Sequence, residues 1–222
     1  MDFINLCNVT KQYRRNKSNV TALKNVSFTI TKGDMIAITG ESGSGKTTLL
    51  SIMGGLLPCT EGEYFYQGQP IHNNNQKQLA DFRRENIGFI IQDYALIHSR
   101  TVYENLELPL KGRYPKSIRN EMILESLADV HMSDKIRCYP NQLSGGEKQR
   151  VAIARAVVHH PKVIIADEPT GALDKETIKT ILSLLHKIND VGITVILATH
   201  NESVVNDCEK CYHLEDGVIY KQ

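Results

Sequence analysis

No run of apolar residues in this sequence approaches the roughly 18 needed to cross a bilayer, so no membrane-spanning helix is expected. The opening residues, MDFINLCNVTKQY, lack the pattern of a signal peptide. An excess of one charge is also missing. Lys and Arg number 26 against 25 Asp and Glu, a formal charge of +1, which excludes bulk attraction to nucleic acid or to an acidic lipid surface. The five cysteines are scattered, which argues against a disulfide framework and for a reducing cytoplasm. Internal repeats, low-complexity tracts and evident linkers are absent. If such a chain works at a membrane, another chain must supply the spanning part.

What is present fits a globular body. With 222 residues and 41% hydrophobic content, the sequence suffices for one domain, or one domain with a lobe. The first third reads as strands and turns. NVSFTI (25–30) ends at KGD, MIAIT (35–39) ends at Gly40, EYFYQG (63–68) runs into a turn, and IGFIIQ (87–92) is a further β-rich run. Residues 95–142 change character. SIRNEMILESLADV predicts a helix with Ile118, Met122, Ile123, Leu127 and Val130 along one side, the mark of a helical lobe inserted into an α/β body. In the last third, GEKQRVAIARAVVHH predicts a largely buried helix and VIIA (163–166) a short central strand. KETIKTILSLLHKIND predicts an amphipathic helix with Ile178, Ile181, Leu185 and Ile188 inward, and ITVILA (193–198) the next strand. Asp216-Gly217 between apolar flanks marks a hairpin. Apolar strands alternating with helices imply a parallel sheet covered on both sides.

Residues 40–48, GESGSGKTT, fit G-x-x-x-x-G-K-[ST] between the strand MIAIT and the helix TTLLSIMGG. Glycine lets backbone wrap tightly, so N–H groups along Gly40, Glu41, Ser42, Gly43, Ser44 and Gly45 can converge on phosphate oxygens. The unpaired amides of the helix start, at Thr47 and Thr48, point to the same place. Lys46 supplies a point charge for the β- and γ-phosphates, and Thr47 a hydroxyl for Mg²⁺. An ordinary glycine turn is the competing reading; the strand–loop–helix setting favours a nucleotide site. VIIADEP (163–169) then delivers Asp167 and Glu168 to the end of a buried strand, where ligands of open parallel sheets collect. Asp167 suits Mg²⁺, and Glu168, biased to extended backbone by Pro169, suits a water beside the γ-phosphate. Two solvated acids at a strand end are the alternative.

With LSGGEKQRVAIARA (143–156) the chain resembles the ATP-binding subunits of ABC transporters over essentially its whole length. The resemblance implies an α/β fold: a P-loop NTPase core with a mixed, mainly parallel sheet, an N-terminal antiparallel β subdomain and an inserted helical lobe. Residues 1–94 and 143–222 are then the core of a single ABC ATPase domain, and about 95–142 the lobe. Tyr13 occupies the place of the residue that stacks on adenine; an ordinary strand-end tyrosine is the alternative. Gln92 matches the glutamine that senses Mg²⁺ and contacts the coupling lobe. Ala172, Leu173 and Asp174 match the loop between two subunits, and His200 the switch histidine. Ser144, Gly145 and Gly146 form a second anion cradle at a helix start, for the ATP of a second ATPase subunit. The resemblance therefore implies a head-to-tail dimer around two ATP and Mg²⁺, with Glu168 as general base and His200 holding γ-phosphate and water in register. It also implies an integral membrane permease as partner, no nucleic acid, and a peripheral place on the cytoplasmic face of the cell membrane.

RRENIGFIIQDYALI, TVYENLELPL and DEPTGALD resemble the branch serving macrolide, lipoprotein and antimicrobial-peptide systems, whose permeases carry a large extracytoplasmic domain. A cell-division regulatory branch is closely similar and stays open, as does a soluble non-transport ATPase, although neither a coiled-coil insertion nor a second core is present. Glu147 and Lys148 stand where many relatives have glutamine. After the hairpin no room is expected for an added regulatory domain. Cys208 and Cys211 form C-x-x-C near His213, readable as half a zinc site or as partly buried residues before the hairpin. His159 and His160 are expected at a helix end, where cations suit the dipole. RRNK (14–17) reads as a solvated loop rather than a nucleic-acid contact.

Overall fold

The computed structural model describes residues 2–15, 18–171 and 173–221. Asn16 and Lys17 of the RRNK segment, and Ala172, lie outside the described residues. Strands β1 (Ile4–Arg15) and β2 (Ser18–Ile30) pair antiparallel over most of their length. Two more strands, β4 (Glu61–Tyr66) and the short β5 (Gln69–Pro70), extend this sheet in the order β2-β1-β4-β5. The main sheet is built from β3 (Met35–Thr39), β6 (Ile87–Ile90), β7 (Val163–Asp167), β8 (Thr194–Ala198), β9 (Lys210–Glu215) and β10 (Val218–Lys221). Its order is β10-β9-β3-β8-β7-β6, parallel throughout except for the antiparallel β9–β10 hairpin. Asp216 and Gly217 both take positive φ there, as a two-residue hairpin turn with a right-handed strand twist requires.

Side chains of the main sheet alternate between two cores, which is why the strands read as continuous apolar runs. Met35, Ile164, Ala166, Val195 and Leu197 enter one core. There they meet α3 (Val102–Glu107), α4 (Lys116–Asp129), α5 (Gly145–Val157) and α6 (Lys175–Asp190). Ile36, Ile38, Val163, Ile165 and Ile196 enter the other, against α1 (Lys46–Met53), α2 (Gln76–Asn86) and the antiparallel sheet. The remaining helix is α7 (Glu202–Asn206). Among the described residues no helix is long and apolar enough to cross a membrane.

Three expectations are corrected. Ile118 does not join Met122, Ile123, Leu127 and Val130 in the core; it is exposed, because α4 rests on α5 and α3 through its later turns. The apolar run 87–92 is strand only to Ile90, so Ile91 and Gln92 lie beyond it. His159 is no helix-end cation. It is buried, its Nε2 contacts the Ile87 carbonyl at 3.2 Å, and burial pushes its pKa down to about 4. The helix α5 needs a glycine beneath it: a Cβ on Gly88 of β6 would sit 2.2 Å from the Ala156 carbonyl oxygen.

Candidate active site

The phosphate-loop sequence turns out of β3 and into α1 through Gly45, whose φ of 110° is open to glycine and strained for other residues. A Cβ there would also meet the Ala22 carbonyl at 2.5 Å. The loop walls a cleft of 490 Å³ with Gly40, Glu41, Ser42, Gly43 and Gly45, and α1 adds Lys46, Thr47 and Thr48. Across from them, Asp167 ends β7 and Glu168 follows it, Gln92 follows β6, and His200 follows β8. Adjacent parallel strands thus deliver side chains from distant sequence to one point, outside their carboxyl ends. The sequence reading missed Ala22, which joins the wall from β2 and carries no chemical signal of its own.

Lys46 folds over the loop, its Nζ donating to the carbonyls of Gly40 (2.7 Å) and Glu41 (2.9 Å). Thr47 donates its hydroxyl to Asp167 Oδ2 at 2.7 Å. Ser44 departs from expectation. Its amide donates to Glu41 O at 3.2 Å and so braces the loop from within, while its buried hydroxyl makes no hydrogen bond among the described residues. The Tyr13 hydroxyl lies 3.3 Å from that of Thr48 at the edge of the cleft, and Lys11 Nζ stands 5.4 Å from its ring centroid.

Glu168 is not extended. Its φ is 49°, because the chain turns sharply after β7: its amide donates to Ala198 O and its carbonyl accepts from the Gly171 amide. Pro169 disfavours a right-handed helical residue before it, which leaves the left-handed region for a turn this tight. One carboxylate oxygen lies 2.7 Å from His200 Nδ1. The other, Oε2, is buried and has no hydrogen-bond partner among the described residues. His200 itself is 76% exposed, so one face of the pair is open to the cleft.

Hard oxygen donors at Thr47 and Asp167, with the Gln92 amide in the same cleft, fit a small divalent cation such as Mg²⁺. The glycine loop and unpaired helix-start amides fit a polyphosphate, and the Glu168 carboxylate, on the cleft wall beside exposed His200, fits a reacting water.

Ser144, Gly145, Gly146 and Asp174 do not join this cleft. They line a second cavity, with Thr177 and Arg150. Ser144 caps α5: its hydroxyl accepts from the Glu147 amide, and Glu147 returns a carboxylate to the Ser144 amide at 2.8 Å. That backbone bond holds the Glu147 carboxyl below its ordinary pKa. Asp174 caps α6 through the amides of Glu176 and Thr177, and the Thr177 hydroxyl bond holds its pKa down. Its carboxylate is therefore committed to its own helix. Leu173 packs half-buried between the two caps. Cys208 and Cys211 are half-buried cysteines; burial pushes the Cys208 pKa up to about 12, which disfavours a metal-binding thiolate.

A family model described as ABC transporter matches residues 23–171. The chain belongs to the ABC transporter family. Its place among ABC proteins is that of the ATPase subunit, which binds and hydrolyses ATP. It is 46% identical over 215 residues to the methionine import ATP-binding protein MetN 3 of Oceanobacillus iheyensis, matching 96% of this chain and 63% of that protein. It is 41% identical to the macrolide export ATP-binding/permease protein MacB of Bdellovibrio bacteriovorus, matching 97% of this chain and 33% of that one. This ABC chain therefore spans less than two thirds of either relative. The dimeric structure of the cassette MJ0796 of Methanocaldococcus jannaschii superposes with a TM-score of 0.92 at 41% identity, covering 99% of this chain and 97% of that one. The post-hydrolysis dimer of the same cassette, bound to ADP and Pi, also superposes with a TM-score of 0.92.

Proposed function

We propose that two ATPase subunits of this kind, two copies of this chain in a homodimer, clasp ATP head to tail, and that hydrolysis drives a membrane permease. One observation carries the reading. Lys46, Thr47, Asp167, Glu168, Gln92 and His200 share a cleft, while the second cradle at Ser144–Gly146 faces a different cavity of the same chain. A cradle with no phosphate of its own calls for a second molecule.

In this reading the loop amides and Lys46 hold the β- and γ-phosphates, Lys46 exchanging its loop carbonyls for them. Tyr13 stacks on the base, the signature amides of the partner close over the γ-phosphate, and Asp174 orders the seam. Thr47, Asp167 and Gln92 hold Mg²⁺, which when bound offsets charge on the phosphoryl oxygens. Glu168, on the cleft wall beside His200, accepts the proton of the attacking water, and His200 fixes its carboxylate through Nδ1. Residues about 95–142 act as a lobe that passes closure to the permease. The subunit sits peripherally on the cytoplasmic face of the membrane.

Export of, or resistance to, antimicrobial peptides, drugs or lipoproteins is the assigned role, through a permease with an extracytoplasmic domain. The segments RRENIGFIIQDYALI and TVYENLELPL and the similarity to MacB support it. Copurification from membranes tests it: an integral protein bearing such a domain is expected. Recovery of a division permease, or of no integral protein, overturns the assignment. At the site, Lys46→Ala is expected to weaken equilibrium ATP binding by at least about tenfold, since a charge-assisted contact is lost; unchanged affinity sinks the nucleotide geometry.

A further inference from the structure

The segment that carries Gln92 does not hold its own shape. After β6 the chain makes two consecutive left-handed residues, Tyr94 (φ 60°) and Ala95 (φ 48°), neither of them glycine. Such backbone is unfavourable for L residues and persists only where the surroundings enforce it. Local bonds are few: Tyr94 donates to Ile91 O and Ala95 to Asp93 O. The enforcing group is Arg155, near the end of the signature helix α5. Its two terminal nitrogens donate to the carbonyls of Tyr94 (2.9 Å) and Ala95 (2.5 Å). The guanidinium is half-buried, and among the described residues it makes no ion pair with a carboxylate. A partly desolvated cation is costly, and here its planar fork is spent on two successive carbonyls.

The support for that fork is rigid. Gly88 of β6 lies directly beneath Ala156, the neighbour of Arg155, and His159 touches the Ile87 carbonyl. Strand and helix are thus locked together on the side from which Arg155 reaches forward. Tyr94 closes the loop back onto the same helix. Its hydroxyl lies 3.2 Å from where a Cβ on Gly145 would stand, at the first turn of α5.

We infer that Arg155 is a positioning residue for Gln92: it clamps the Tyr94–Ala95 pair to the signature helix and so fixes where Gln92 enters the nucleotide cleft. The inference rests on the proposed role of Gln92 at the site. It also makes the signature helix of a chain answerable to the Gln92 of that same chain, although the two serve opposite ATP sites of a head-to-tail pair.

The test is a double-variant cycle on the full chain, reading steady-state ATP turnover and equilibrium ATP binding. Arg155→Ala is expected to lower kcat about tenfold with Kd within about twofold of wild type, the signature of a misplaced group rather than a lost binding contact. In a Gln92→Ala background the same change is expected to cost nothing further. Multiplying losses, a Kd that rises in step with the fall in kcat, or a wild-type kcat would each overturn the inference. Should Arg155→Ala fail to fold, Arg155→Lys keeps the charge and loses the fork. A smaller kcat loss that again vanishes without Gln92 is expected, and full activity overturns the idea. Amide exchange over 93–97 reads the clamp without turnover: faster exchange in the variant supports it, unchanged exchange overturns it. Wild type that neither binds nor hydrolyses ATP sinks the proposed site itself, whereas active wild type with multiplying losses sinks only Arg155.

Discussion

Glu168 holds two features that are individually unfavourable: left-handed backbone, and a buried carboxylate oxygen without a partner among the described residues. Each costs on the order of 1–3 kcal/mol, and folding alone gives no reason to accept them together. A role in the cleft it lines supplies one, because a carboxylate held by a single contact at His200 keeps lone pairs for a reacting water. Glu168→Gln keeps shape and hydrogen bonding but removes that base. ATP binding is expected to survive while single-turnover hydrolysis falls by about 10²–10⁴; unchanged turnover removes Glu168 from the role. His159 offers a prediction about stability. Its folded pKa, about 4, lies below the ordinary value of 6.5, so the unfolded chain takes up the proton more readily. Its contribution is complete above pH 6.5 and is lost as pH falls towards 4. Urea titrations should show an acid-side loss of up to about 3 kcal/mol that His159→Leu abolishes. Lys46, Thr47, Asp167 and Glu168 were legible because their spacing is local to a loop and a strand end. Arg155 was not, because its partners are two carbonyls some 60 residues upstream, and a carbonyl has no sequence identity.

At the scale of elements, the strands of the main sheet were readable because each is buried on both faces and so continuously apolar. The strand β1 was not, for a physical reason. Its alternation is broken by register shifts between Leu6 and Val9 and again to Lys11 and Gln12, with Asn8 at φ 50°. The helix α2 was missed because it buries only Leu79 and Phe82 and owes its start to an Asn75–Gln78 capping box. The most constrained junction is α5 on β6. Gly88→Ala drives a methyl group into the Ala156 carbonyl, backbone against backbone, where no side chain can yield. A loss of about 1–3 kcal/mol is expected in urea unfolding, the usual penalty of overpacking. A neutral result would mean that the helix can lift from the strand, and the clamp built on that junction would lose its footing.

For the whole molecule, the separation of the two cavities makes a prediction that no single-chain reading shares. Gly145→Asp places a carboxylate at the first turn of α5, where it suits the helix dipole and opposes an incoming phosphate. Only Tyr94 Oη at 3.2 Å and Leu173 at 3.6 Å stand near the added Cβ, so the helix should tolerate it. Lys46→Ala disables the other cavity. Each variant alone is expected to lack ATPase activity, since every site of either homodimer has one damaged half. Mixed together they behave differently if the halves come from opposite chains. In a mixed pair one site gathers both lesions, and the other joins an intact loop to an intact signature. With random exchange half the pairs are mixed and half their sites are whole, so about a quarter of wild-type activity should return. If each copy used its own signature, or worked as a monomer, mixing would restore nothing. The restored fraction should also rise with protein concentration and fall when ATP is scarce, because the nucleotide holds the two halves together.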